Sequence, residues 1–217
     1  MNKISIIGGT GSLGKGLAYR LLKSNYQVCL GTRSQEKADS TIEFLKEKLP
    51  KECGENAFAS DYVGACRFSD VVFLTVPFAS QLSVLEMVSA ELQGKILVDT
   101  SVPLEPKNIT KVRIVSAGSA GKQAQLALGD NVKVVSGFHN VAAASLFSDQ
   151  GVSCDVLITG DEFDACDEII NISKSIGINA LYGGGIDNSV ASESLTPILI
   201  GLNKQYKSKS AGVAFNL

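Results

Sequence analysis

Lys3-Ile4-Ser5-Ile6-Ile7-Gly8-Gly9-Thr10-Gly11-Ser12-Leu13-Gly14 is the stretch that decides the fold of this chain. Its apolar run predicts a buried parallel strand, its glycines a tight turn, and the amphipathic pattern from Ser12 onward a helix. A second apolar run, Gln27-Val28-Cys29-Leu30, ends in Gly31-Thr32-Arg33-Ser34. Strand, glycine turn, helix and strand form the setting in which G-x-G-x-x-G binds a dinucleotide. Gly9, Gly11 and Gly14 fill the three glycine positions. The first is expected to take a positive φ, the second to let a pyrophosphate approach, and the third to let the helix pack on the strand. The helix opening near Ser12 then aims unpaired amides and its positive dipole end at the anion.

The end of the second strand says which dinucleotide. An NAD site places Asp or Glu there, on the ribose 2′-hydroxyl. This chain has Thr32, Arg33 and Ser34, with Lys37 one turn further on. A guanidinium fork grips a 2′-phosphate, hydroxyls donate to it, and a lysine adds a point charge. The expected cofactor is therefore NADP(H).

The same alternation continues along the chain. Short apolar strands are expected at 56–60, 70–77, 95–99 and 132–136, and helices at 35–49, 62–67, 80–92 and 120–128. Leu82, Leu85, Val88 and Leu92 are spaced for burial in the third of these helices. The pattern predicts an α/β fold, a doubly wound parallel sheet. Further strands at 155–159 and 179–182 and helices at 162–175 and 188–205 make a small C-terminal αβ part. The expected division is 1–150 for dinucleotide binding and 151–217 for completing the acceptor pocket. Pro197 is expected to kink the last helix or mark its start. The apolar face of that helix predicts either burial within the monomer or packing on a second copy, giving a homodimer.

Composition narrows the function. With 20 basic and 22 acidic residues, the net charge of −2 gives no footing for nucleic acid or an anionic membrane. No apolar run is long enough to span a bilayer and no signal peptide is evident, so a cytoplasmic protein is expected. Five scattered cysteines without C-x-x-C spacing, and a single histidine, argue against a disulfide framework or a metal site.

In an open α/β sheet the ligand lies at the carboxyl ends of the strands. Three more loops therefore belong to the site. Val76 and Pro77 are placed to press on the adenine or nicotinamide half. Ser101 and Val102 are placed to line the nicotinamide, and the segment 137–144 to face the hydride acceptor. His139, at a strand's carboxyl end, is either a structural hydrogen-bonding group or an acid–base group. The loops at this edge offer no Tyr-x-x-x-Lys pair. This scarcity of proton donors favours transfer between two redox cofactors over carbonyl reduction, and no side chain is assigned a catalytic role.

These residues resemble the NADPH-dependent reductases of coenzyme F420, a deazaflavin. The resemblance rests on Gly8 to Ala18, Gly31-Thr32-Arg33-Ser34, Leu74-Thr75-Val76-Pro77 and Phe138-His139-Asn140-Val141. It extends to Glu193-Ser194-Leu195-Thr196-Pro197 and the tail Gly212 to Leu217, and so covers the full chain. It implies a Rossmann domain with a small C-terminal part, usually dimeric, that moves a hydride between NADP(H) and F420. Carried over by motif, Thr10, Gly11, Ser12 and Leu13 hold the pyrophosphate, and Thr32, Arg33 and Lys37 the 2′-phosphate. Val76 and Ala142 line the nicotinamide, while His139, Asn140 and Val141 flank the deazaflavin. The alternatives are an NADPH-dependent flavin or ferric reductase on the same scaffold, imine reduction of the pyrroline-carboxylate-reductase type, and an NADPH-binding sensor without turnover. Imine reduction would need a longer helical C-terminal domain than this chain supplies.

Overall fold

The computed structural model describes residues 3–148 and 152–217. The expected boundary between residues 150 and 151 lies outside the described residues. Six strands form one sheet: β1 (Lys3–Ile7), β2 (Gln27–Gly31), β3 (Ala57–Ser60), β4 (Val71–Leu74), β5 (Ile96–Asp99) and β6 (Lys133–Ser136). Their spatial order is β3-β2-β1-β4-β5-β6, and every pairing is parallel. Parallel strands need crossovers, and helices supply them: α1 (Ser12–Lys23), α2 (Gln35–Lys48), a short α3 (Lys51–Gly54), α4 (Tyr62–Phe68), α5 (Gln81–Leu92) and α6 (Ala120–Leu128). The strand order reverses between β1 and β4, the point at which such sheets open a crevice.

The two-residue period of the strands sorts side chains onto both faces. Ile4, Ile6, Leu30, Phe73 and Val98 join Leu17 and Leu21 of α1 in one core cluster. Ile7, Val72, Leu74, Leu97 and Val134 join Leu85 and Val88 of α5 in the other. Burial on both sides explains why these strands are continuously apolar. Leu82, expected inward, is 48% exposed, and Val84 is buried in its stead. At about 100° per residue, Leu82 stands well round the helix from the buried stripe of Gln81, Val84, Leu85, Val88 and Leu92.

The C-terminal part adds a parallel pair, β7 (Val156–Ile158) and β8 (Ala180–Tyr182), joined through α7 (Phe163–Ser175). An antiparallel bridge between Ser136 and Thr159 ties it to β6. The last helix, α8 (Ser189–Tyr206), carries Pro197 in its interior, so this proline does not start it. Arg20 of α1 is buried and stitches the parts together. Its guanidinium donates to the carbonyls of Leu146 (2.9 Å), Ile176 (2.9 Å), Ser145 (3.2 Å) and Ser148 (3.0 Å). No helix among the described residues is long and apolar enough to cross a membrane.

Candidate active site at the carboxyl edge of the sheet

Strand register aligns the ends of the sheet. Gly31 pairs with Ile7, Ile7 with Leu74, Leu74 with Asp99, and Asp99 with Ser136. Each loop singled out in the sequence leaves from this one edge.

The glycine turn is built as the motif requires, with one shift. The left-handed residue is Gly8, at φ +78°, and not Gly9. A Cβ on Gly8 would stand 3.0 Å from the Thr75 carbonyl oxygen and from Val76 Cγ1, so the turn lies directly against the end of β4. Gly9 is needed for closeness instead: its Cβ would meet Leu30 Cδ2 at 2.8 Å and the Ile6 carbonyl at 2.9 Å. A Cβ on Gly14 would meet Gly9 Cα at 2.7 Å, so the helix packs on the turn itself. Gly11 is the N-cap of α1 and supplies no side-chain cap. Among the described residues, the amides of Ser12, Leu13 and Gly14 have no protein acceptor. Three open amides at a helix N-terminus fit a pyrophosphate.

At the end of β2, Ser34 is the N-cap of α2 and its Oγ accepts from the Lys37 amide at 3.3 Å. Thr32 Oγ1 accepts from the Ser34 amide at 3.2 Å, which folds the turn. Arg33 and Lys37 are exposed, and neither side chain has an ion-pair partner among the described residues. The turn thus spends its hydroxyls on its own shape and leaves its two charges free. An anion placed here meets a guanidinium, an ammonium and the positive end of α2.

The other half of the crevice is more enclosed. Val76 is buried, Pro77 is exposed, and Ser101 Oγ reaches back to the Val76 carbonyl at 3.5 Å. Val102 is half-buried beyond it. Asp99 is fully buried; Oδ1 accepts from the Ser101 amide (3.1 Å) and Oδ2 from Gln81 Nε2 (2.6 Å). Burial pushes its carboxyl up to about 6, against the pull of those hydrogen bonds.

After β6 the backbone turns sharply. Phe138 takes φ +66°, a left-handed conformation costly for a bulky residue. Its ring is anchored in the core edge-on to Phe73, with centroids 5.5 Å apart. This turn delivers His139, Asn140, Val141 and Ala142 to a small cavity of about 90 Å³, closed by Thr196, Leu199, Ile200 and Asn203 of α8 and by Ala211. Asn140 Nδ2 donates to the Asp155 carbonyl at 2.7 Å, fixing the loop to the C-terminal part. The structure therefore brings together the residues expected to hold the acceptor.

His139 is 5% exposed. Ser192 Oγ lies 3.0 Å from the Ser189 carbonyl and 3.3 Å from His139 Nδ1. Ser136 Oγ lies 3.3 Å from Nε2, so each ring nitrogen has a hydroxyl partner. Burial drives the imidazole down to about 3, with only partial opposition from the Asp99 backbone, and the ring is neutral. It is a hydrogen-bonded wall element with no free nitrogen.

This has a measurable consequence. The unfolded histidine binds a proton below about pH 6.5, whereas the folded one resists it until about pH 3. The neutral ring therefore favours folding fully above pH 6.5 and progressively less as pH falls. Wild-type stability minus that of His139→Gln, from urea titrations, should be about 2 kcal/mol larger at pH 8 than at pH 5. An equal difference at both pH values would refute the neutral assignment.

Several contributors were given no role in the sequence analysis. A Cβ on Gly16 would stand 2.7 Å from Leu146 Cβ and 3.2 Å from the Ala143 carbonyl, so α1 carries the acceptor loop on its flank. The Gly14-Lys15-Gly16 spacing was the available signal. Gln81, Ser192, Thr196 and Glu193 also shape the site, and their roles depend on contacts far apart in sequence.

An anion cradle, a cationic turn and an enclosed acceptor edge on one parallel sheet define a dinucleotide-dependent oxidoreductase. Residues 3–103 match the family described as NADP oxidoreductase coenzyme F420-dependent. The F420-dependent NADP reductase of Methanocaldococcus jannaschii is 37% identical, over 97% of this chain and 96% of the relative. That of Methanothermobacter marburgensis is 34% identical, with the same coverage. A solved Arthrobacter structure, provisionally assigned as an F420-dependent NADP reductase, superposes with a TM-score of 0.83 at 24% identity and covers 99% of both chains. The chain belongs to the family of F420-dependent NADP reductases.

Proposed function

We propose that this chain transfers a hydride reversibly between NADP(H) and the deazaflavin coenzyme F420. NADPH gives up a hydride, the deazaflavin takes the hydride together with a proton from solvent, and NADP⁺ leaves. The observation that carries this reading is the extent of the family likeness, 97% of the chain, which takes in both the cofactor turn and the acceptor wall. Thr10, Gly11, Ser12 and Leu13 hold the pyrophosphate. Thr32, Arg33, Ser34 and Lys37 surround the 2′-phosphate. Val76, Pro77, Ser101, Val102 and Ala142 frame the nicotinamide, and His139, Asn140 and Val141 support the deazaflavin.

The chemistry asks the protein mainly for orientation and exclusion of water. The ionisable groups behind the crevice fit that limited demand: Asp99, His139 and Glu193 are all buried and hydrogen-bonded. The assay is direct. With NADPH present, F420, FMN and FAD are offered in turn and loss of nicotinamide absorbance is followed. Rapid oxidation with F420 is expected; turnover with FMN alone, or with no acceptor, would replace this reading by a flavin reductase or a sensor.

A homodimer is part of the proposal. The cavity of about 90 Å³ is smaller than the roughly 300–1,000 Å³ of small-molecule pockets, so the acceptor ring must lie over it and needs further cover. On α8, Ile198 and Leu202 are 47% and 38% exposed at helical spacing, and Ile109 and Ile114 are also exposed. Such an apolar face suits a second copy. Leu202→Glu should convert a dimer to monomers in sedimentation velocity; a wild-type monomer would end the claim. The five cysteines are free thiols, which fits a reducing compartment such as the cytoplasm.

A further inference from the structure

The run Glu193-Ser194-Leu195-Thr196-Pro197 is distinctive in the sequence, yet none of its residues binds cofactor in the account above. Its first residue is a carboxylate only 3% exposed. Oε2 accepts from the Ala120 amide at 2.7 Å and Oε1 from the Gly121 amide at 3.0 Å. These are the first two amides of α6, so a carboxylate from α8 fills the anion position of a neighbouring helix. Ser119, the N-cap, meets the Lys122 amide at 3.0 Å and receives a 2.6 Å bond from Ser189 of α8.

The α6 start is itself immovable. A Cβ on Gly121 would stand 2.7 Å from Ser136 Cβ, so α6 is pressed on the end of β6. On the same helix, the residue before Glu193 and the residue three after it carry hydroxyls that reach His139. Ser192 Oγ meets His139 Nδ1, and Thr196 Oγ1 donates to the His139 carbonyl at 2.9 Å. Pro197 brings no amide to compete for the Glu193 carbonyl. The helix is thus bolted to the Rossmann sheet by Glu193 and holds the acceptor loop by Ser192 and Thr196.

We propose that Glu193 is a positioning residue for the hydride acceptor: seated on the α6 amides, it sets the height of α8 and with it the wall from His139 to Ala142. The proposal rests on the reading that this wall receives F420. It acts mainly on the acceptor, because the pyrophosphate cradle and the Arg33 turn lie on α1 and α2, and of the residues framing the nicotinamide Ala142 alone belongs to this wall. Burial and the nearby Asp99 push the Glu193 carboxyl up to about 7 while the two amides pull it down, so its grip depends on those amides being in place.

The test uses the full chain with Glu193→Gln, which keeps the shape but turns an amide donor toward a backbone donor. KM and kcat with F420, the Kd for NADPH and hydrogen exchange without substrates are measured. The expected result is a loss of at least roughly tenfold in kcat/KM for F420, with the NADPH Kd within about twofold. Exchange should quicken both at 119–122 and at 139–142. Quickening at 119–122 alone, unchanged F420 kinetics, or an equal loss of NADPH binding would each overturn the proposal. If Glu193→Gln does not fold, Thr196→Val carries the test, with the same split between F420 and NADPH expected and an unaltered F420 KM and kcat overturning it. A wild-type chain inert toward F420 removes the reading and the inference together; an active wild type with an indistinguishable variant removes only the inference.

Discussion

Replacing Arg33 by Ala should raise KM for NADPH roughly 10- to 150-fold while leaving kcat nearly unchanged. The range corresponds to about 1.5–3 kcal/mol for charged hydrogen bonds to a phosphate. In the proposed site Arg33 would contact only a part of the cofactor remote from the reacting carbon, so its energy would be spent equally in the ground and transition states. The affinity for NADH, which lacks the 2′-phosphate, should hardly move, and the preference between the dinucleotides should collapse. Comparing Kd values for NADPH and NADH in both proteins checks this. Equal affinities in the wild type would show that the free charges of Arg33 and Lys37 serve something else.

Replacing Arg20 by Met should be the most damaging change to stability. Its guanidinium satisfies carbonyls of Leu146 and Ile176 in buried surroundings and those of Ser145 and Ser148 in part-buried ones. Methionine matches much of the side-chain stem and leaves those acceptors without their donor. The cost is about 3–5 kcal/mol, or roughly 10 °C in Tm for a chain of this size. Because the clamp spans α1, the 145–148 segment and the end of α7, the C-terminal part should loosen first. Faster proteolysis after residue 145, ahead of global unfolding, is the accompanying sign. A variant that melts within about 2 °C of the wild type would show that water replaces the guanidinium at no cost.

What could be foreseen in the chain was what depends on local pattern. Among the described residues, the eight strands and the seven principal helices follow from apolar runs and helical spacing, because parallel strands buried on both faces leave an unmistakable signature. The local structure of the glycine turn and of the Arg33 turn was equally legible, since each is a contiguous motif on a strand end. The misreadings were matters of phase. Positive φ fell on Gly8 because the chain turns as β1 ends, one residue before the motif's first glycine. Leu82 lay exposed because it stands about 100° round α5 from Gln81 and so off the stripe that runs on to Leu92.

The rest was hidden because its partners are distant or are backbone atoms. Arg20 has no local signal in the sequence, and its acceptors lie 125–156 residues away. Glu193 grips amides 72–73 residues earlier, and amides have no sequence signature. His139 could be read as structural or catalytic until Ser136 and Ser192 were found on its two nitrogens.

The central claim, direct hydride transfer across the crevice, is tested most directly by isotope. NADPH carrying deuterium at both C4 positions is mixed with F420 and enzyme in a single turnover, and the reduced deazaflavin is examined by mass spectrometry. Because a ring carbon replaces the flavin nitrogen at the accepting position, a transferred deuterium stays in place. The account predicts one deuterium per reduced deazaflavin. Reduced deazaflavin carrying only solvent hydrogen would contradict it.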